Sequence, residues 1–239
     1  MRKAADEGHR VVLVVATRGE LGEVPDGFLA PGEQLWQRRV RETQAAGDIL
    51  GAQRVEFLGY RDSGMMGEPA NGAPGSFWTA PVEEAAGKLA AILREENAEV
   101  LTCYDDNGQY GHPDHIQTHR VGMRAAELAG TPRVYQSTEN RDQMIRRMQD
   151  LGERESLGFT PPDPEFLATL GKPESELTAA VDVRPYLEYK RKAMRAHASQ
   201  ISEQSFFLAM PDEAFNHAFG TEWFIRAGQG PGITETGIL

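Results

Sequence analysis

The densest run of chemically capable side chains is Tyr104-Asp105-Asp106-Asn107-Gly108-Gln109-Tyr110-Gly111-His112-Pro113-Asp114-His115. Three of the six histidines in the chain, His112, His115 and His119, fall within eight positions. Imidazole and carboxylate donors suit a borderline divalent metal such as zinc. His115 and His119 stand one helical turn apart, a spacing that aims both rings at one ion if the segment is helical. The same residues also read as a polar loop whose histidines are exposed or bonded locally. They do not complete a site by themselves, since a catalytic zinc takes three protein ligands, an open position and a separate base. Two further groups, Thr17-Arg18-Gly19-Glu20 with Glu23, and Arg61-Asp62-Ser63, offer guanidinium, carboxylate and hydroxyl groups. That mixture suits a hydroxyl-rich ligand such as a sugar, or is ordinary loop polarity.

All of these groups follow short apolar runs, and the runs predict the scaffold. Val11 to Val15 is continuously apolar between Gly8-His9-Arg10 and Thr17-Arg18-Gly19, the pattern of a strand covered on both faces. Val55 to Leu58, Val100 to Tyr104 and Arg133 to Gln136 read as further strands. Between them, Trp36, Val40, Thr43, Gly47 and Leu50 mark a helix face ending at Gly51, with Arg38 in reach of Glu42. Pro81 starts a second helix carrying Val82, Ala85, Ala86, Leu89, Ile92 and Leu93, and His115 to Leu128 forms a third, closed by Gly130. Strand and helix alternate, so the expected fold is α/β: a Rossmann-like three-layer sandwich with a mostly parallel sheet. The chemical groups then sit beyond the carboxyl ends of the strands, where such sheets bind ligands.

The flanks are less regular. Met1 to Glu7 with Gly8 reads either as the last turns of a helix whose preceding strand is absent or as an N-terminal tail. Asn140 to Asp150 predicts a helix, and Leu157 to Pro173, broken by prolines, reads as a lid or a surface excursion. Thr178 to Val183 predicts a strand, and Leu187, Met194, Ala198 and Ile201 outline a helix. The aromatic-rich end from Phe206 to Ile225 is expected to dock on the core. One domain over 1–239 is expected, with an α/β core over 1–136, packing elements over 137–227 and a frayed tail over 228–239.

Composition narrows the classes. The 239 residues carry 25 Lys+Arg against 36 Asp+Glu, a formal charge of -11, which opposes nucleic acid and anionic lipid as partners. No stretch approaches the roughly 18 apolar residues of a membrane span, and no signal-type apolar region follows the N-terminus, so a cytoplasmic protein is expected. A homo-oligomer is left open. The single cysteine, Cys103, lies in an apolar strand and reads as a buried thiol rather than a nucleophile. No Gly-x-Ser-x-Gly elbow, P-loop or Gly-x-Gly-x-x-Gly occurs, which favours metal-assisted hydrolysis over serine, nucleotide or dinucleotide chemistry.

Gly111-His112-Pro113-Asp114-His115, preceded by Tyr104-Asp105, Asn107-Gly108 and Tyr110, resembles the central motif of the PIG-L/LmbE-like zinc deacetylases. Within that family the chain resembles the mycothiol conjugate amidases and the mycothiol-pathway deacetylase, and looks closest to the conjugate amidases. Supporting matches are Asp6-Glu7-Gly8-His9-Arg10-Val11, Thr17-x-Gly19-Glu20, Arg61-Asp62-Ser63-Gly64 and Arg195-Ala196-His197-Ala198-x-Gln200-Ile201, so the resemblance covers most of the chain. It implies His115 as a zinc ligand, His112 as the histidine that stabilises the oxyanion and assists proton transfer, and Tyr110 as a second oxyanion donor. Asp114 becomes a carboxylate that tunes a histidine, while Glu20, Arg39 and Asp62 become contacts to the sugar or its substituent. His119 drops to helix packing or to a supporting place behind the ligands. The implied substrate is a small amino-sugar or thiol conjugate, hydrolysed at an N-acyl amide.

The resemblance also carries a departure. Family members open on a strand ending in Ala-His-Pro-Asp-Asp-Glu, which supplies two zinc ligands and the general base, and no such motif occurs here. The shortfall corresponds to a strand and most of a helix, on the order of 25–30 residues. A shortened chain, an internal start codon or a degenerate homologue each produces this beginning. The expectation is a weak or incomplete zinc site and impaired turnover, or else a non-catalytic sugar-binding or regulatory homologue.

Overall fold

The computed structural model describes residues 1–152 and 164–239. In chain order these form α1 (Arg2–Asp6), β1 (Val12–Val15), α2 (Leu35–Ile49), β2 (Arg54–Phe57), α3 (Val82–Glu95) and β3 (Val100–Tyr104). There follow α4 (Gly108–Gly111), α5 (Pro113–Ala129), β4 (Arg133–Thr138), α6 (Arg141–Gly152), α7 (Pro164–Thr169) and β5 (Ala179–Asp182). The chain closes with α8 (Leu187–Ala196), α9 (Phe206–Ala209), α10 (Asp212–Phe219) and β6 (Thr221–Arg226). They divide into two compact units, one of Met1–Ala80, Asp182–Thr221 and Leu239, the other of Pro81–Val181 and Glu222–Ile238. Of the expected lid or excursion over Leu157 to Pro173, residues 157–163 lie outside the described residues, and the rest forms α7 and the turn that follows it.

In the first unit β1 and β2 pair in parallel, with Val12 opposite Arg54 and Val15 opposite Phe57. Every residue of both strands is only half-buried. Gly47 is obligatory on α2, because a Cβ there would stand 2.8 Å from the Val55 side chain, and its absence lets the helix approach β2. The expected Arg38–Glu42 pair does not form. Arg38 donates instead to both carboxylate oxygens of Glu33, at 2.8 and 2.7 Å, while Glu42 is buried and bonded to Ser199. Helix α8 stops at Ala196, where His197 leaves helical geometry with ψ 45, so Ala198 and Ile201 fall beyond it.

The second unit holds a four-stranded sheet in the order β3-β4-β6-β5. Strand β4 is parallel to β3 but antiparallel to β6, which overturns the expectation of a mostly parallel sheet: the fold is α/β with a mixed sheet. The cause is the aromatic end segment, which does not merely dock. Its Trp223, Phe224 and Ile225 enter the sheet as β6, directly after α10, facing Thr138, Ser137 and Gln136. Helices α3 and α5 pack together through small side chains, and Ala85, Ala86, Ala90 and Ala125 are fully buried there. Gly122 of α5 faces the Cys103 side chain of β3. Gly130, at φ 73, closes α5 in the left-handed region as its sequence position predicts.

Strand β3 is the end strand of this sheet among the described residues. The Arg133 N–H donates to the Glu99 carbonyl at 3.3 Å and the Asp105 N–H to the Ser137 carbonyl at 3.1 Å. In a parallel ladder this phase turns the peptide groups of Leu101 and Cys103 toward β4 and those of Val100 and Thr102 away from it. The closing segment is bonded to the second unit as far as Glu235: the Ala180 N–H donates to the Glu235 carbonyl at 3.0 Å and Arg226 pairs with Glu235 at 2.6 Å.

Candidate functional site

In the second unit the histidine-bearing loop is shaped by Asp105, which has no solvent exposure. Its carboxylate accepts the N–H groups of Asn107 at 3.1 Å and Gln109 at 2.8 Å and the hydroxyl of Thr138. An aspartate that bonds backbone two and four residues ahead folds the chain over itself. The loop then passes through two left-handed positions, Gly108 at φ 60 and Gln109 at φ 64. Glycine is required at the first, because a Cβ there would lie 2.6 Å from the His115 Cβ and 2.8 Å from the Ile116 nitrogen. Outer contacts hold the same loop: Asn107 donates to the Thr169 carbonyl at 2.7 Å, and the Gly171 N–H to the Gln109 carbonyl at 2.8 Å. Lys172 pairs with Asp106 at 2.5 Å, and its hydrogen bond, aided by its charge, holds that carboxyl below the ordinary range.

The rings gather at the start of α5. His112 is its N-cap, and the His112 Nδ1 accepts the Asp114 N–H at 3.1 Å, so in the neutral ring the proton sits on Nε2. His115 Nδ1 lies 3.3 Å from the Gly108 carbonyl, which sets the opposite tautomer, with the proton on Nδ1. The two ring centroids are 4.8 Å apart. Tyr104 stacks on His115 at 4.1 Å with 6° between planes, and Tyr110 meets the same imidazole edge-on at 5.1 Å. Burial pushes the Tyr104 phenol up to about 12 and also raises that of Tyr110, so both hydroxyls stay protonated donors at neutral pH. Tyr110 is nevertheless exposed at the surface. Asp114 is buried in the first turn of α5, where a carboxylate interacts favourably with the helix dipole. His119 is not among the gathered rings: its Nδ1 lies 3.1 Å from the Tyr104 carbonyl, a packing role that fits the resemblance rather than the bare spacing. Burial raises the Cys103 thiol to about 12, which leaves it un-ionised and unsuited to nucleophilic attack.

These residues do not fit a complete zinc site. Among the described residues no three His, Cys, Asp or Glu side chains converge as a metal requires, although His112 and His115 lie side by side.

In the first unit the loops after β1 and β2 clasp one another. The Asp62 N–H donates to Glu20 Oε2 at 3.2 Å and the Leu21 N–H to Asp62 Oδ2 at 3.3 Å, so each carboxylate accepts from the other loop. Arg39, expected beside Glu20 and Asp62 as a contact to the sugar, is buried beneath this clasp, and its terminal nitrogens donate to the carbonyls of Gly19 at 2.6 Å and Glu23 at 3.2 Å. Two residues there escape sequence reasoning. Glu42 is buried and accepts the Ser199 N–H at 2.9 Å and the Ser199 hydroxyl at 2.6 Å. His197 lies beside this pair, and burial holds its imidazole below the ordinary 6.5. The Arg39-x-x-Glu42 spacing, two charges on one helix face, is the signal that was available for the first. For the second it was the Arg195–Ile201 match itself.

Residues 1–126 match the family described as PIG-L: GlcNAc-PI de-N-acetylase. A protein of Acidothermus cellulolyticus named 1D-myo-inositol 2-acetamido-2-deoxy-alpha-D-glucopyranoside deacetylase is 40% identical over 233 residues, covering 92% of this chain and 80% of that one. One of the same name from Thermobifida fusca is 40% identical over 247 residues, covering 94% and 85%. Among solved structures, a deacetylase involved in the teicoplanin biosynthetic pathway gives a TM-score of 0.57 at 17% identity, over 96% of this chain and 91% of that one, a likeness of fold. These likenesses carry the family and single out no amidase subtype within it. With 40% identity across most of both chains and a family match over more than half of this one, the protein belongs to the PIG-L family of de-N-acetylases.

Proposed function

We propose that the chain is built to bind an N-acyl glucosamine derivative and to act on its amide, as a deacetylase of an acetylglucosaminyl-inositol type of substrate. The observation that carries this reading is the grouping of His112, His115 and Tyr110 at the carboxyl end of β3 in a chain whose relatives bear that deacetylase name. His112 presents a protonated Nε2 and Tyr110 a protonated hydroxyl, two donors suited to the charge that develops on an acetamide oxygen as water adds. Asp114, two residues after His112 at the start of α5, supplies the carboxylate that tunes the pair. In the first unit, Glu20 and Asp62 offer acceptors to sugar hydroxyls, and Arg39 holds the loop that carries Glu20. His115 is the one expected metal ligand, so we infer weak zinc binding and slow turnover by this chain.

The test is release of free amine from N-acetylglucosaminyl-inositol, with the cysteinyl amide of glucosaminyl-inositol alongside, and metal analysis of the same samples. We expect slow amine release from the acetylated sugar, less from the cysteinyl amide, and zinc well below one per chain. Brisk turnover with stoichiometric zinc would refute the impaired reading, and turnover unchanged in H112A would refute the role of His112. A second reading, a non-catalytic sugar-binding protein, is favoured by the absence of a three-donor cluster among the described residues. Saturable sugar binding with no amine released would select it.

A further inference from the structure

Glu42 has no part in the sugar-binding reading, yet its surroundings are costly to build. It sits one helical turn after Arg39 on α2, and both side chains are buried. A buried cation needs a nearby compensating charge and donors that are fully used. The Arg39 guanidinium occupies a slot made by absent side chains: a Cβ at Gly22 would lie 2.1 Å from Nη1, and one at Gly19 would lie 2.5 Å from it. Gly19 and Glu23 accept from the two terminal nitrogens, while the buried Nε has no hydrogen-bond partner. Burial holds the Arg39 guanidinium below its ordinary range, opposed by the charges of Asp62, Glu42 and Glu20.

Of those three carboxylates, Glu42 is the one that cannot swing away. Ser199 takes one oxygen with its N–H and the other with its hydroxyl, and Ser199 itself is 1% exposed. Glu20 and Asp62, by contrast, accept from each other's loops and are thereby placed at the rim that Arg39 supports.

We propose that Glu42 is a positioning residue: locked by Ser199, it keeps the Arg39 guanidinium in the Gly19–Gly22 slot and so presents Glu20 and Asp62 to a sugar. This rests on the reading of Glu20 and Asp62 as sugar contacts. Glu42 itself touches no ligand. Toward the sugar, its charge and its two hydrogen bonds act through Arg39.

The test uses the full chain, with methyl 2-acetamido-2-deoxy-α-D-glucopyranoside as the probe. Two readouts are taken: calorimetric affinity, and the nitrogen-15 resonance of the Arg39 Nε–H, assigned by its loss in R39K. In the wild type the Nε–H exchanges slowly with water because it is buried. We expect E42A and S199A to lose that slow exchange and to bind the probe about tenfold more weakly, the effect of one lost charge-assisted hydrogen bond. E42Q, which keeps the shape and lets Ser199 reverse its hydroxyl, should fall between. D62N should weaken the probe and, because the Asp62 charge also acts on Arg39, shift that resonance, while the Nε–H stays slow to exchange since the lock of Glu42 by Ser199 is intact. If E42A does not fold, S199A and E42Q carry both readouts. An Arg39 resonance unchanged in S199A and E42Q overturns the proposal. So does full probe affinity in those two variants when D62N is weakened. If D62N binds as the wild type does, the sugar reading falls, and the Arg39 resonance still decides the role of Glu42.

Discussion

Replacing glycine by alanine at two positions of the second unit should move stability in opposite directions. At Gly108 the backbone is left-handed at φ 60, and the added methyl would lie 2.6 Å from the His115 Cβ and 2.8 Å from the Ile116 nitrogen. Both neighbours belong to the first turns of α5, so neither can rotate away as a flexible side-chain end would. The left-handed conformation costs alanine about 1–2 kcal/mol. The overpacking adds about 1–3 kcal/mol, for a total of about 2–5 kcal/mol. At Gly87, in the exposed part of α3, nothing lies within 4 Å of the added methyl and φ is not positive. There the same change removes backbone entropy from the unfolded chain and gains about 0.5–1 kcal/mol. For a chain of this size each kcal/mol moves the melting temperature by about 2–4 °C. The transition of this unit, followed by circular dichroism, should therefore fall by about 4–20 °C in G108A and rise by about 1–4 °C in G87A. If G108A melts with the parent, the loop is not packed against α5 as described, and the placement of His115 loses its support.

Four further outcomes are expected. D105N should destabilise the second unit by about 2–3 kcal/mol in urea titration, because an amide turned toward the Asn107 and Gln109 N–H groups cannot accept from all three present donors; an unchanged midpoint would show that the carboxylate is dispensable. Native Cys103, with its thiol raised to about 12, should resist iodoacetamide near neutral pH and react only after denaturation, and rapid native alkylation would contradict its burial. Burial favours the neutral His197 imidazole in the folded chain, against the pull of Glu42 and with the push of Arg39. The unfolded chain therefore takes up the proton first: this contribution is whole above about 6.5 and is lost as pH falls through the lower folded value, so H197Q should flatten the stability curve there, and parallel curves would refute it. Hydrogen exchange should find the Val100 and Thr102 amides of β3 faster than those of Leu101 and Cys103, and uniform protection would mean that the outer edge is covered.

Local signals in the sequence locate local structure well. Strand β3 coincides with the apolar run from Val100 to Tyr104, because charged residues bound it on both sides. Helix α5 is legible from Pro113 and Gly130, and its histidine loop from the crowding of rings within a few positions. What fails is whatever depends on distant partners. The direction of β6 is fixed by pairing with β4 across more than eighty residues, and no periodicity in Trp223 to Ile225 encodes it. Arg38 has two acids within reach in sequence and takes Glu33, since Glu42 is already committed to Ser199. The same nonlocality hides the Arg39 slot: Gly19 and Gly22 read as loop residues until the guanidinium that fills their missing side chains is seen.

The bond between Glu42 and Ser199 closes over 157 positions, and both compact units are assembled from separated stretches of chain. A ribosome adding about 5–20 residues per second needs roughly 8–30 s to deliver the serine after the glutamate has emerged. Throughout that interval Arg39 and Glu42 belong to a nascent segment with nowhere to complete itself. The first unit therefore closes only after synthesis has passed residue 199, so its folding is late and not sequential along the chain.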